Sequence, residues 1–202
     1  MKRIFFFIFC LGLSGLCSAQ ARWGLKGGLN LANTHFAPAT DFKARLGFHA
    51  GGLVRIVLGE RLFLRSELLY SQKGYRAPAT LYSNEGTVSF HYLNFPFLAE
   101  LQVNDKLSFL LGPEFGYMVK ATTKSNDYRE NVSLSFREFD KGLDLGATYQ
   151  LNERLGAEAR YNYGFKGLVR GVYVDQNGNP GGNYRGGANR VLQLGLYYFL
   201  TK

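Results

Sequence analysis

A short turn that occurs three times is the feature that most constrains the fold of this chain. The copies span residues 58–62, 103–107 and 151–155, and each reads apolar residue, Gly or Asn, acid, base, Leu. Gly and Asn tolerate the positive φ of tight turns, so each copy predicts a hairpin. The connections between these hairpins are longer and polar. Short turns at one end of the strands and long loops at the other are typical of bacterial outer-membrane β-barrels.

The segment 1–19 has the pattern of a secretory signal peptide. Lys2 and Arg3 precede an apolar run at 4–11, and small residues follow up to Ala19. We predict cleavage after Ala19, which leaves Gln20 first and makes 20–202 the barrel domain. The apolar run is too short for a membrane span. The chain is therefore expected to leave the cytoplasm.

Both cysteines of the chain, Cys10 and Cys17, lie in this segment. The mature chain is thus expected to have no disulfide, no thiol chemistry and no cysteine metal site. Its stability must come from backbone pairing and packing. A lipoprotein anchored at Cys17 is the alternative, and the bulky Leu16 directly before it argues against lipidation.

The charge pattern does not indicate a nucleic-acid partner. Removing Lys2 and Arg3 lowers the formal net charge from +9 to +7, and the remaining basic residues are scattered among acids rather than gathered in a block. No apolar run after Ala19 is long enough for a transmembrane helix. Barrel strands need only about ten alternating residues each, so a membrane barrel stays compatible with this composition.

Alternation of apolar and polar residues predicts eight strands. The fold class we predict is an all-β, eight-stranded antiparallel up-and-down transmembrane β-barrel with short periplasmic turns and long outer loops. An even strand number places both chain ends on the periplasmic side. The strands are 23–32, 45–57, 61–74, 88–102, 106–118, 139–151, 155–166 and 190–200, and the outer loops are 33–44, 75–87, 119–138 and 167–189.

One face of these strands is apolar and the other mixes glycines with charges. Aromatic residues such as Tyr70, Phe90 and Tyr117 mark the ends of the apolar face, as expected near lipid headgroups. We therefore predict that the apolar face contacts lipid and the polar face fills a narrow lumen, where charges must be paired. Arg45 and His49 are expected on the polar face of the second strand. The predicted lumen charge network is Arg55, Arg65, Glu67, Glu100, Glu114, Asp144, Glu158 and Arg160.

The closing strand resembles the C-terminal signal that the barrel-assembly machinery recognises in its clients. Gln193, Gly195, Tyr198 and Leu200 have the spacing polar-x-Gly-x-x-aromatic-x-hydrophobic. Two further residues, 201–202, follow where a terminal aromatic residue is usual. Any amphipathic closing strand would look similar, so this assignment depends on export of the chain.

Several segments together resemble the PorT-like family of small outer-membrane β-barrels. They are residues 24–30, 64–74, 92–96 and 112–116, and they span most of the predicted mature chain. The resemblance implies an outer-membrane barrel, and the name-giving member is associated with protein secretion to the cell surface by the type IX route. Asn94 stands where the family often carries Glu. Family membership alone does not transfer the secretion role.

Motifs of catalysis are missing from the sequence. No nucleophile elbow, P-loop or dinucleotide fingerprint occurs, and His35, His49 and His91 lack metal-ligand spacing. We predict no enzyme activity, no cofactor and no metal. Two alternatives stay open: a His49–His91 pair in the lumen, and a hydrolase at the outer rim that uses His35, Asp41 and His91.

The function expected from the sequence is that of a non-enzymatic outer-membrane barrel with a plugged polar lumen. It would act through its outer loops as a structural or accessory protein of the envelope. Its expected partners are outer-membrane lipid, the assembly machinery during biogenesis, and a surface or secretion partner at the loops. The alternatives are an accessory role in type IX-like secretion, the rim hydrolase, an ion-conducting lumen cluster, and a soluble lipocalin-like carrier with a greasy interior.

Overall fold

The computed structural model describes residues 21–35, 42–78, 85–125, 128–165, 167–168, 171–174, 180–184 and 186–201. The predicted signal peptide and its cleavage site lie outside these residues and stay predictions. Among the described residues, no helix is long and apolar enough to cross a membrane.

Eight long strands form a closed antiparallel barrel, which confirms the predicted fold class. Each strand pairs with its sequence neighbours in the wall, and the first pairs with the last from Gly24 opposite Phe199 to His35 opposite Ala188. The wall strands are β1 Ala21–His35, β2 Lys43–Val57, β3 Leu62–Ala77, β4 Gly86–Gln102, β5 Leu107–Ser125, β7 Phe139–Gln150, β8 Leu155–Gly164 and β11 Ala188–Phe199. Outside the wall lie β6 Tyr128–Asn131, a 3₁₀ turn Ser133–Ser135, β9 Gly171–Val174 and β10 Pro180–Tyr184.

The three repeated turns join β2 to β3, β4 to β5 and β7 to β8. In two of them an asparagine closes the turn: the Asn104 Oδ1 atom accepts hydrogen bonds from the Lys106 and Leu107 amides at 3.0 and 2.9 Å. Asn152 does the same for the third turn. Gly59 does not have a positive φ. The turns form as predicted, but the Asn side chains contribute through hydrogen bonds.

The wall is apolar outside and charged inside. Leu111, Leu145 and Leu194 are 51, 59 and 54% exposed on the outer face, whereas Arg65 and Asp144 are completely buried inside. In a soluble barrel the greasy face would point inward. This inversion is the arrangement of a membrane barrel, and it argues against the lipocalin-like carrier.

Several strands continue past their predicted outer ends. β5 runs to Ser125, where the alternation predicted an end at residue 118, and β3 runs to Ala77. The prediction ended the strands where apolar alternation stops, but backbone pairing continues with polar residues above the apolar band. The pairing register shifts between Ala44 and His49 and between His91 and Tyr92, as at β-bulges.

Candidate functional site: the filled lumen

The centre of the lumen is occupied by a cluster of ion pairs around Arg160. Its Nη2 atom lies 2.7 Å from a carboxylate oxygen of Glu67 and 2.7 Å from one of Glu158, and its Nη1 atom lies 3.2 Å from Asp144. Arg160 projects from β8, Glu67 from β3 and Asp144 from β7. One guanidinium therefore ties three wall strands together.

Two more cations complete this cluster. The Arg65 Nε atom lies 2.7 Å from a carboxylate oxygen of Glu67, and its Nη2 atom lies 2.7 Å from one of Glu158. The Lys26 ammonium, from β1, lies 3.2 Å from Glu67 and also pairs with Glu158. The side chains in these pairs are at most 2% exposed. Glu67 and Glu158 thus each face three cations, as buried charges require.

Residues two apart in a strand lie on the same face, and this spacing brings the members of the cluster together. Arg65 and Glu67 alternate with outward residues of β3, and Glu158 and Arg160 do so on β8. Small residues make the room: a Cβ atom at Gly28 would collide with the Leu194 carbonyl on the neighbouring strand. Glycine is therefore needed where the wall curves around these long side chains.

Further ion pairs lie above and below the central cluster, and the lower one is linked to it by Arg65, whose Nη1 atom lies 3.9 Å from Glu100. Toward the turns, the Arg55 Nη2 atom lies 3.0 Å from a carboxylate oxygen of Glu100, and the guanidinium lies 3.5 Å from the Phe63 ring centroid. Toward the loops, the Lys73 Nζ atom lies 2.9 Å from Glu114. Charged pairs consequently extend along most of the lumen.

All eight residues proposed as the lumen charge network lie on the inner face: five of them form the central cluster, Arg55 pairs with Glu100, and Glu114 pairs with Lys73. The sequence list omitted Lys26, Lys73 and Asp140, whose carboxylate lies 3.7 Å from the Lys73 ammonium and accepts a 2.7 Å hydrogen bond from Asn189. Lys26 could have been found, because it alternates with the outward Leu25 in β1.

An apolar cap closes the outer end of the lumen. It is a buried cluster of inward side chains, among which the Phe90 and Phe136 rings lie 4.7 Å apart in an edge-on arrangement. The prediction placed Phe90 at the lipid interface. It is wrong there, because Phe90 is fully buried and shares the inner face of β4 with Tyr92. The cap residues are Tyr75, Phe90, Tyr92, Met118, Ala121, Phe136 and Leu168.

The opposite end of the lumen opens beside the short turns. A cavity of about 730 Å³ lies there. Arg22 and Arg55 each present a buried Nε atom without a hydrogen-bond partner among the described residues. We call this cavity the vestibule. Its charged lining residues are Arg22, Arg55, Asp105, Lys106, Glu153 and Arg154.

The histidines do not form a lumen pair. His49 is buried, and its Nδ1 atom lies 2.7 Å from the Asn30 amide oxygen. His91 lies on the outer face and hydrogen bonds to the Tyr70 hydroxyl. The sequence alternative of a His49–His91 pair is therefore wrong, because successive residues of β4 alternate and put His91 outside.

Arg45 lies beside the register shift of β2 rather than within the central lumen cluster. It is partly exposed and donates a 3.2 Å hydrogen bond to the Lys73 carbonyl oxygen. No described group of three or more His, Cys, Asp or Glu residues could hold a metal ion. Asp41, named for the rim hydrolase, lies outside the described residues.

The closing strand β11 presents the proposed assembly signal on both faces. Gln193 is buried in the lumen, whereas Tyr198 and Leu200 are 43 and 55% exposed on the outer face. A Cβ atom at Gly195 would lie 2.8 Å from the Gly27 carbonyl oxygen of β1. Gly195 thus permits close approach at the seam where the barrel closes, and recognition by the assembly machinery stays a prediction.

Comparisons with known proteins agree with this architecture. The family described as outer membrane protein beta-barrel domain matches residues 18–170. Neisserial surface protein A has a TM-score of 0.58 and 11% identity, covering 87% of this chain and 96% of its own. OprG from Pseudomonas aeruginosa has a TM-score of 0.49 and 12% identity, with 91% and 98% covered. No curated protein matches the chain in sequence. The likeness to the Neisserial protein shows a shared fold and no more.

Proposed function

Because the chain belongs to the outer membrane protein beta-barrel domain family, we propose that it is a non-enzymatic barrel with a plugged lumen. It acts as a structural or accessory protein of the envelope through its outer loops. The filled lumen is the observation that carries this proposal. When side chains fill the interior of a barrel, its outer surface remains available to bind partners.

Two layers of the lumen support the absence of a conducting path. The central cluster packs Arg65, Arg160 and Glu67 with at most 3% exposure. The apolar cap lies beyond it toward the loops, with Phe90 and Tyr92 fully buried. Ions crossing the barrel would have to break buried ion pairs and then enter an apolar layer, and both steps cost several kcal/mol.

Conductance measurements test the plug. The purified barrel, inserted in planar lipid bilayers, is expected to give no stable single-channel steps, with a porin in the same bilayers as the positive control. Stable steps from the wild-type barrel would show an open path and overturn the plugged lumen.

Complementation of a deletion strain tests the role of the loops. In one variant residues 130–135, which include the 3₁₀ turn, are replaced by a Gly-Ser linker. In the matched control the inner turn 103–106 is replaced by an Asn-Gly turn. Both are expected to assemble, and only the control is expected to restore resistance to detergent and bulky antibiotics. Full rescue by the loop variant would contradict action through this loop.

A second candidate, an accessory role in protein secretion to the cell surface, is favoured by the vestibule. This cavity opens on the periplasmic side and carries Arg22, Arg55, Lys106 and Arg154, which suit an acidic segment of a periplasmic partner. Mass spectrometry of surface and secreted proteins tests it. If deletion traps a defined set of proteins in the periplasm, and an Arg22→Gln/Lys106→Gln/Arg154→Gln variant fails to release them, secretion becomes the leading function. An unchanged set removes this candidate.

A rim hydrolase has no comparable support. Among the described residues, no hydrogen bond joins His35 or His91 to a serine, and His91 is engaged by the Tyr70 hydroxyl. General-base catalysis needs a nucleophile within hydrogen-bond reach.

A further inference from the structure

Four cations form a cross-strand row on the outer half of the wall. Lys43 of β2 lies opposite Arg76 of β3, and Lys124 of β5 lies opposite Arg129 of β6. Thr87 of β4 joins the two halves, because it lies opposite both Arg76 and Lys124. Directly opposed residues of paired strands project from the same face. We call Lys43, Arg76, Lys124 and Arg129 the basic row.

The basic row faces away from the lumen. Tyr75, next to Arg76 in β3, is buried in the apolar cap, so the alternation of the strand turns Arg76 outward. Lys43, Lys124 and Arg129 are exposed as well. These side chains therefore point to what surrounds the barrel rather than into it.

The level of the row along the wall is set by the apolar band below it. On β3 the outward apolar residues run from Leu62 to Tyr70, and Arg76 follows six residues later. At the usual rise and tilt of barrel strands this is about 15 Å above Tyr70 along the barrel axis. Lys120, opposite His91, lies between the two levels. The row thus lies where the headgroups and attached sugars of outer-leaflet lipid would surround the wall.

The charges of the row are not neutralised within the described part of the chain. Among those residues none of its four members forms an ion pair, although the lumen cations Lys26, Arg65, Lys73 and Arg160 all do. Like charges directly opposed across strands destabilise a sheet. Each inner turn, by contrast, places an acid directly before its base.

We propose that the basic row binds the phosphate groups of outer-leaflet glycolipid headgroups. Arginine and lysine form charge-assisted hydrogen bonds with phosphate oxygens, and several cations near a membrane surface add their attractions to anionic lipid. The occupant is lipid rather than a soluble polyanion because the side chains project sideways from the wall.

Binding of bisphosphorylated lipid A to the folded, full-length barrel in detergent micelles tests this. The row variant is Arg76→Gln/Lys124→Gln/Arg129→Gln, and the matched control is Arg61→Gln/Lys106→Gln/Arg154→Gln, which removes the same charge at the inner turns. The row variant is expected to raise the Kd about tenfold or more and to flatten its salt dependence, whereas the control stays near wild type. A heat-dependent gel shift verifies that all three proteins are folded.

Three results would overturn the proposal. The first is a row variant that binds lipid A as tightly as the control does. The second is equal binding of lipid A from which both phosphates have been removed. The third is binding of inorganic tripolyphosphate, without lipid, as tight as that of lipid A, because the phosphates would then come from a soluble polyanion.

Discussion

The guanidinium of Arg160 donates hydrogen bonds of 3.0 and 2.7 Å to the two carboxylate oxygens of Glu67 on the far side of the lumen. The two residues are 93 positions apart, and their strands are separated in the wall by β2, β1 and β11. Two hydrogen bonds between one guanidinium and one carboxylate fix the relative orientation of the two groups and stabilise the pair. The pair therefore links opposite sides of the barrel, and its loss should destabilise the whole wall.

Replacing Arg160 with Met should destabilise the barrel strongly. Glu67, Glu158 and Asp144 would each lose a cationic partner while staying buried, which costs about 3–5 kcal/mol. Urea unfolding in lipid vesicles measures the loss. The control Arg154→Met, at the inner turn, should stay within about 0.5 kcal/mol of wild type. Equal stability of the two variants would mean that the central cluster does not hold the wall together.

Replacing Leu111 with Arg should impair insertion. Leu111 is 51% exposed on the outer face of β5, where a charge near the bilayer midplane costs about 2–4 kcal/mol. The folded fraction recovered in vesicles measures the effect. Leu134, 91% exposed in the outer 3₁₀ turn, supplies the control Leu134→Arg, which should insert normally. If Leu111→Arg inserted equally well, the assignment of the lipid face would be wrong.

Gly156 should not tolerate even alanine. It lies opposite Tyr197, whose ring covers the glycine so closely that an added Cβ atom would collide with it. Displacing the ring would disturb the 2.9 Å hydrogen bond from Tyr197 to Gln150 and cost about 1–3 kcal/mol. The same unfolding measurement applies, with Gly59→Ala as the control because open space surrounds Gly59. A neutral Gly156→Ala would show that the ring moves freely.

Tyr198 should matter for assembly more than for stability. We expect Tyr198→Ala to slow folding by the purified assembly machinery, while spontaneous folding into thin-bilayer vesicles keeps its rate. Tyr161→Ala is the control, since Tyr161 is equally exposed, 43% against 43%, on β8. Equal slowing of both variants in both reactions would reduce the proposed signal to ordinary wall packing.

Period-two alternation predicted the eight strands and their inverted faces, because successive side chains of a strand point to opposite faces, and the repeated motif predicted the three turns. The same alternation placed Arg65, Glu67 and Arg160 inside, but it did not predict which of these residues pair. Pairing across the lumen depends on the curvature and register of the closed wall, and adjacent strands set both. The spacing of residues along the sequence does not predict a contact between Arg160 and Glu67.

Phe90 shows where alternation fails as a guide to surroundings. The inner position of Phe90 could have been predicted, since Phe90 shares a face of β4 with Tyr92. An aromatic residue at a strand end, however, is also typical of a lipid interface. The outer loops decide between the two by adding Phe136 and Leu168 to the cap. Arg45 was expected on the polar face but lies outside the central cluster, since a register shift between Ala44 and His49 interrupts the alternation there.

Cysteine accessibility in cells shows whether the protein is an outer-membrane barrel with an apolar wall and outward loops. The sequence carries no cysteine outside Cys10 and Cys17, so single cysteines can be introduced at Leu134, Leu111 and Asp105. A membrane-impermeant maleimide should label Leu134→Cys on intact cells and Asp105→Cys only after the outer membrane is permeabilised. Leu111→Cys should resist labelling until the barrel is unfolded. Labelling of Leu111→Cys in the folded barrel, or of Asp105→Cys on intact cells, would contradict the account.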